Sequence, residues 1–172
     1  MTDKQVKILK SALKLFAQQG FDSTSTSRLA LEAGVSEGLI FRHYKNKQGL
    51  LEAIIAEGMN AATKLIDGVL AVDDPKEFIK TAISLPFHID ESEHDFWRLM
   101  YTLKWQQGIY QNDAFEKLKE RLVKAFKDLG YDNPQEEADL IEVLTDGVAT
   151  GILLKDGDFS SMLTVILKKY NI

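Results

Sequence analysis

Apolar residues recur at spacings of three and four along almost the whole chain of 172 residues, and the apolar–polar alternation typical of strands is almost absent. Spacings of three and four place apolar side chains on one face of an α-helix. The pattern therefore predicts an all-α protein of about nine helices.

Three helices are predicted in the first fifty residues. The first ends at Gly20, and its apolar face consists of Val6, Leu9, Leu13 and Phe16. Ser25 has a side chain preferred at a helix N-cap and Gly34 suits a helix end, so a short second helix lies between them. Ser36 caps a third short helix, Glu37–Tyr44.

The fourth helix is long, with a broad apolar stripe over residues 50–69. Asp73-Asp74-Pro75 ends it and opens a fifth, because proline suits the first helical turn. Residues 88–95 form a polar, acidic connector. The sixth helix, which starts near Phe96, is apolar over most of its circumference, so burial on most sides is expected.

Turn residues separate the last three helices. The seventh closes at Gly130, the eighth opens at Pro134, and the ninth follows Asp156-Gly157-Asp158. This order predicts two domains, a small head over residues 1–48 and a larger helical body over residues 49–172.

Two short helices behind a longer supporting helix have the geometry of a helix-turn-helix, here over about residues 25–44. Gly34 permits the positive φ of a tight turn, and Val35 fills the gap between the helices. The expected small core consists of Leu29, Ala30, Ala33, Val35, Ile40 and Phe41.

Charge is distributed unevenly along the chain, whose formal net charge is −5. The first fifty residues have eight basic and four acidic side chains, a net charge of +4, which leaves −9 for the remainder. A basic head on an acidic body favours contact between the head and phosphate.

The composition also limits the kinds of site and the cellular compartment to be expected. With no cysteine, disulfides and thiolate metal sites are excluded, and a reducing compartment is favoured. The first residues lead into an amphipathic pattern without the apolar core of a signal peptide, and no apolar run reaches the length of a membrane span. We expect a cytoplasmic protein with no membrane partner and no cofactor.

Several spaced features of the head form a recognisable pattern: Gly20-Phe21-Asp22-Ser23-Thr24-Ser25, Leu29-Ala30, Ala33-Gly34-Val35-Ser36, Gly38-Leu39-Ile40-Phe41-Arg42-His43-Tyr44 and Lys47. With this pattern the head resembles the TetR family of repressors. The family pattern often has tyrosine at position 41 and phenylalanine at position 44, so the phenolic hydroxyl is displaced here. The resemblance implies a DNA-binding transcriptional regulator, not an enzyme.

The resemblance also implies DNA-contacting residues. Ser25 and Thr26 would offer hydroxyl and backbone N–H groups to a phosphate, and Arg42 would read guanine in the major groove. The full expected set is Ser25, Thr26, Ser36, Glu37, Gly38, Leu39, Arg42, His43, Tyr44, Lys45 and Lys47. Lys45 and Lys47 are expected as phosphate clamps, and Glu37 would suit DNA only by accepting from a cytosine amine.

The resemblance also implies that the body binds a small effector, which we expect to be largely apolar. Aromatic and methionine side chains with a few polar tips would line its pocket. The candidates are Met59, Phe87, Trp97, Met100, Tyr101, Trp105 and Tyr110. Packing of these side chains in the hydrophobic core would explain the pattern about as well as an effector pocket does.

The last two helices are expected to form a two-fold dimer, as the resemblance also implies. Gly147 and Gly151 lie four apart and permit close approach of a helix, either from a partner or from the same subunit. The expected interface consists of Leu140, Leu144, Gly147, Val148, Gly151, Phe159, Met162, Leu163, Ile166 and Tyr170. Such a homodimer would bind a pseudo-palindromic double-stranded operator.

Two alternatives stay open. One is a helix-turn-helix regulator that a protein partner controls, with no small-molecule site. A remoter one is a metal-binding helical enzyme that uses the connector, whose candidate ligands are His88, Asp90, Glu91, Glu93, His94 and Asp95. A solvated connector explains these residues better.

Overall fold

The computed structural model describes residues 1–107, 113–155 and 157–172, with the side chains of residues 104–107 outside that description. Over these residues the chain forms nine α-helices, two short 3-10 helices and no strand, which confirms the all-α prediction. The α-helices are α1 (Asp3–Gln19), α2 (Thr26–Ala33), α3 (Glu37–Tyr44), α4 (Lys47–Leu70), α5 (Pro75–Ser84), α6 (His94–Gln107), α7 (Asp113–Asp128), α8 (Pro134–Lys155) and α9 (Ser160–Lys169).

The ends of the first helices follow from local side-chain chemistry. The Ser25 hydroxyl accepts a hydrogen bond from the backbone N–H of Arg28 at 3.2 Å, as an N-cap does. Gly20 and Gly34 have φ angles of 86° and 65°, so both lie where a β-carbon is disfavoured. Each of these three residues has the capping position that the sequence predicts.

A very short turn joins α3 to α4. The N–H of Asn46 donates to the carbonyl of Tyr44 at 2.7 Å, and Lys45 between them has a φ of 67°. The side-chain oxygen of Asn46 then accepts from the N–H of Gly49 at 2.7 Å and caps α4. Gly49 has no room for a β-carbon, because the carbonyl oxygen of Tyr44 occupies that space.

The chain divides into two compact units, each with its own helix packing. The first comprises Met1–Ala61 and Ser92–Ile109, and the second comprises Ala62–Glu91 and Tyr110–Ile172. The expected functional division near residue 48 stays a prediction.

In the first unit, α1 packs against α2 and α6, and α2 packs against α3. Residues with at most 1% exposure include Ile8, Ala12, Phe16, Leu29, Ile40, Leu50, Leu51, Leu99 and Met100. The two helices of the helix-turn-helix and α6 are therefore supported by one core.

In the second unit, α7 packs against α5 and α8, and α5 also contacts α9. Its central buried residues include Phe78, Ile79, Ile83, Ala125, Phe126, Ala138 and Ile141. The Arg121 guanidinium stacks over the ring of Phe78 at 4.6 Å and donates to the carbonyl of Asp73 at 3.0 Å. This cation therefore fastens α7 to the segment between α4 and α5.

One local expectation was wrong. Phe41 is 43% exposed and does not belong to the small core, because Ile40 and Tyr44 define the inward face of α3 and Phe41 lies about 100° round the helix from Ile40. The segment 88–95 is mostly exposed, as expected of a polar connector, and it is more regular than the sequence indicates. It contains the last residue of the 3-10 helix Leu85–His88, the whole 3-10 helix Glu91–Glu93 and the first residues of α6. Among the described residues, no helix combines the length and the apolar character that crossing a membrane requires.

Candidate nucleic-acid interface and neighbouring sites

The outward face of α3 is exposed in the part of the chain that the structure describes. Ile40 is fully buried on the inner face, whereas Gly38, Arg42 and His43 are exposed. A β-carbon placed on Gly38 would meet no atom within 4 Å. The helix therefore presents a small residue and a guanidinium on a surface that a groove could receive.

Thr26 and Glu37, at the first positions of α2 and α3, contact each other directly. The Thr26 hydroxyl donates a hydrogen bond to the Glu37 carboxylate. The hydroxyl that was expected to meet phosphate is thus directed to a side chain of the same unit. The Ser25 hydroxyl and the backbone N–H groups at the start of α2 remain as donors for that role.

Ser36 and Leu39 border a shallow surface concavity beside the turn. Ser36 precedes α3, but its hydroxyl makes no capping hydrogen bond. The concavity has a volume of about 440 Å³ and is lined by Lys4, Ala30, Leu31, Gly34, Val35, Ser36 and Leu39. Leu31, at 73% exposure, has the most exposed apolar side chain of this lining.

Gln5 links the first turn of α1 to the end of α3. Its side-chain nitrogen lies 3.5 Å from Nδ1 of His43, and its backbone carbonyl accepts from the Tyr44 hydroxyl at 3.4 Å. Burial, and then the nearby carboxylate of Glu57, raise the pKa of Tyr44. Sequence reasoning missed Gln5, although Thr2 followed three residues later by Gln5 is a capping-box signature.

The two predicted phosphate clamps differ in placement. Lys45 is exposed, whereas Lys47 is half-buried. The Lys47 ammonium donates to the carbonyls of Phe21 at 2.8 Å and Thr24 at 3.1 Å. Lys45 is therefore a solvent-accessible cation beside α3, whereas the Lys47 ammonium is hydrogen-bonded within the unit.

Four of the predicted effector residues belong to the first unit. Met100 and Tyr101 are buried in α6, and Trp97 and Met59 are half-buried. Next to them, the ring of Phe96 packs directly on Gly58 of α4.

The other three effector candidates are placed differently. Phe87 packs against the apolar core of the second unit. The side chain of Trp105 and the whole of Tyr110 lie outside the described residues. The structure therefore places three of the predicted side chains on α6 and that of Met59 on α4, within the same unit.

The predicted dimer residues fall into three groups. Val148, Gly151, Ile166 and Tyr170 are buried within the second unit, where the Phe159 ring fills the space beside Gly151. Leu144, Phe159 and Leu163 are half-buried. Leu140, Gly147 and Met162 are exposed, and the structure adds three exposed apolar residues that the sequence analysis omitted: Val143, Leu154 and Val165.

The candidate metal ligands of segment 88–95 do not converge. Among the described residues, no group of three histidine, aspartate or glutamate side chains could hold a metal ion. Nδ1 of His88 lies 2.9 Å from the carbonyl oxygen of Ser84 in its own helical turn.

A short helix capped at Ser25, a left-handed glycine at position 34 and a second helix with a free outer face define a helix-turn-helix protein. Residues 8–54 match the family model described as bacterial regulatory proteins, tetR family. The match covers the helix-turn-helix part of the chain, and the proteins that this family model describes are regulators of transcription.

Known relatives agree with this placement. The helix-turn-helix transcriptional regulator YerO of Bacillus subtilis (strain 168) is 36% identical over 106 residues, which are 59% of this chain and 36% of that protein. The match thus spans about a third of the relative's length. A transcriptional regulator of Saccharomonospora viridis in complex with choline superposes with a TM-score of 0.78 at 19% identity, covering 99% of this chain and 96% of the other.

A second solved structure is AibR in complex with isovaleryl coenzyme A and operator DNA. It superposes with a TM-score of 0.69 at 16% identity and covers 96% of both chains. At these identities the two structures establish the shared fold.

Proposed function

We propose that the protein regulates transcription by inserting α3 into the major groove of an operator. The free outer face of α3 carries this proposal, because Gly38 is open and Arg42 is exposed on a helix held from behind by Ile40. An arginine in this position suits the two acceptors of guanine. The net charge of +4 over the first fifty residues, which include α3, also favours contact of this part of the chain with DNA phosphates.

Fluorescence anisotropy against duplex DNA selected with the wild-type protein from a random pool tests this function. Arg42→Ala is expected to lower the affinity for the selected DNA by roughly 1–3 kcal/mol and to relax specificity at one position. Arg28→Ala is the matched control, because it removes an equal charge from α2 while α3 is unchanged. Unchanged specificity in Arg42→Ala would contradict the proposed docking.

We infer that two copies pair through α8 and α9. Leu140, Val143 and Gly147 follow each other at spacings of three and four on the outside of α8, so they share one face. Val165 on α9 is 51% exposed and adds apolar surface. A dimer would set two recognition helices about 34–36 Å apart, or a multiple of that, on a pseudo-palindromic operator.

Analytical ultracentrifugation tests the pairing, since the chain has a mass of 19.4 kDa and a dimer twice that. Val143→Lys places a charge on the proposed seam and is expected to yield monomers. Leu31→Lys changes a similarly exposed apolar residue of the head and should leave the dimer intact. A dimeric Val143→Lys protein would place the interface elsewhere.

We further propose that a small, largely apolar effector binds beside α6 and releases the DNA, as a repressor would. The structurally similar regulators were solved with choline and with isovaleryl coenzyme A, so the fold accepts more than one ligand chemistry. The packing of Phe96 on Gly58 supports a path from α6 to α4. An effector can drive release only if it binds the two states with different affinity.

Intrinsic fluorescence offers a direct assay, because both tryptophans of the chain, Trp97 and Trp105, belong to α6. Choline, isovaleryl coenzyme A and a long-chain acyl coenzyme A are suitable first probes. An effector should change the tryptophan emission and lower the anisotropy of the DNA complex over the same concentration range. Regulation by a protein partner would be favoured if DNA binding is specific while no probe changes either signal.

A further inference from the structure

The Lys47 ammonium, on the first turn of α4, is bonded inside the loop between α1 and α2. Its Nζ atom donates to the carbonyl oxygens of Phe21 at 2.8 Å, Thr24 at 3.1 Å and Asp22 at 3.3 Å. The same atom lies 4.3 Å from the centroid of the Phe21 ring. An ammonium has three protons, so three carbonyl acceptors use its full donor capacity.

The loop that receives Lys47 is itself tightly folded. The Phe21 ring packs edge-on against the buried ring of Phe16 at 5.1 Å. Thr24 is 1% exposed, and its hydroxyl donates to the carbonyl of Gly20 at 2.8 Å. The loop is therefore anchored to the core at one end and leads directly into the cap of α2 at the other.

The next residue after Thr24 is Ser25, the N-cap of α2. The position of the cap, and with it the direction of the first N–H groups of α2, depends on the path of the loop. Turning Lys47 outward would leave the carbonyls of Phe21 and Thr24 without this donor in a partly buried place, which is costly.

We propose that Lys47 is a positioning residue for DNA binding: it fixes the loop between α1 and α2 and so aims the start of α2 at a DNA phosphate, without contacting phosphate itself. The inference rests on the proposed function, because it assumes that the start of α2 meets DNA. It assigns the phosphate contact of this region to the backbone N–H groups of α2 and to Lys45.

The dependence of affinity on salt separates the two roles. Each phosphate neutralised by a cation contributes about 0.9 to the slope of log Kd against log salt concentration. Lys45→Met is expected to lower this slope by about 0.9 and to leave the melting temperature unchanged. Lys47→Met is expected to weaken binding and to lower the melting temperature, with the slope equal to that of the wild type.

A slope that falls by about 0.9 in Lys47→Met would overturn the inference, because it would reveal a lost phosphate contact. If the wild-type protein shows no specific DNA binding, the proposed function itself is wrong. That result comes from the wild-type protein alone and is therefore distinct from a failure of the Lys47 inference. Lys47→Arg adds a check, since a phosphate contact would survive in it while a site for a three-proton ammonium would not.

Reductive methylation of the wild-type protein tests the same point without a substitution that could unfold the head. Lys47 is expected to react slowly, at the same rate with and without DNA. Lys45 is expected to react fast and to become protected by DNA. Protection of Lys47 by DNA, read by mass spectrometry of the modified peptides, would contradict the positioning role.

Discussion

The ring of Phe96 fills the space that a side chain at Gly58 would need. At this point the aromatic ring from α6 therefore packs directly on the backbone of α4. Phe96 is 8% exposed, and Trp97 packs edge-on against it at 5.2 Å. Because packed interiors have little free volume, a displacement of this part of α6 must be taken up by α4.

Gly58→Ala tests this contact. The added methyl group overlaps the Phe96 ring, and overpacking of this kind costs about 1–3 kcal/mol, against a gain of about 1 kcal/mol in helix propensity. We expect a net loss in the free energy of unfolding measured in urea. Gly68→Ala, in the same helix with no atom within 4 Å of the new methyl, should instead gain up to about 1 kcal/mol. Equal effects of the two substitutions would contradict the packing.

Gly147→Ala separates folding from assembly. Within the chain a β-carbon at Gly147 meets nothing within 4 Å, so the isolated chain should gain up to about 1 kcal/mol in stability. If a partner helix approaches this glycine, the same change weakens dimerisation. Sedimentation equilibrium and urea unfolding at low protein concentration measure the two effects. A variant with unaltered dimer affinity would remove Gly147 from the proposed seam.

Ser25→Ala and Ser36→Ala form a matched pair at the two helices of the helix-turn-helix. Ser25 accepts from the backbone of α2, so its loss should cost about 1 kcal/mol in the free energy of unfolding. Ser36 makes no capping hydrogen bond, so Ser36→Ala should change the free energy of unfolding by at most a few tenths of a kcal/mol. Thermal unfolding of both variants decides the point, and an equal loss in Ser36→Ala would reveal a cap at α3.

The Tyr170 hydroxyl makes stability depend on alkaline pH. Burial, and then the carboxylate of Glu137 at 3.1 Å, raise the pKa of Tyr170 above its ordinary value near 10. The unfolded chain therefore loses this proton at lower pH than the folded chain, so the stabilising contribution is complete below about pH 10 and declines as the pH rises beyond it. Tyr170→Phe should show a weaker alkaline loss of stability than the wild type. The free energy of unfolding of both proteins is measured between neutral and alkaline pH. Curves of this free energy against pH that run parallel for the two proteins would contradict the raised pKa.

Local chemistry explains why the helix limits could be predicted from the sequence. Gly20 and Gly34 end helices through their own backbone freedom, and Asp74 with Pro75 starts α5 through a cap and a fixed φ. Each of these effects involves a few neighbouring residues, so the sequence contains the whole cause.

Contacts between distant residues determine what could not be predicted from the sequence. Phe41 is exposed because of which face of α3 the neighbouring helices cover, and Lys47 is turned inward by a loop more than twenty residues away. Likewise Gly151 is filled by Phe159 of its own chain. For each of these residue types the sequence permits more than one partner, and the packing selects one.

The eight-residue helix α3 is held at both ends by side chains that are not its own, Thr26 at its start and Gln5 at its end. A recognition helix transplanted from a relative would therefore arrive without the groups that orient it. If α3 enters a DNA groove as proposed, exchange of DNA preference between similar proteins should succeed more often when positions 5 and 26 are exchanged together with the helix, because these two residues hold α3 in place.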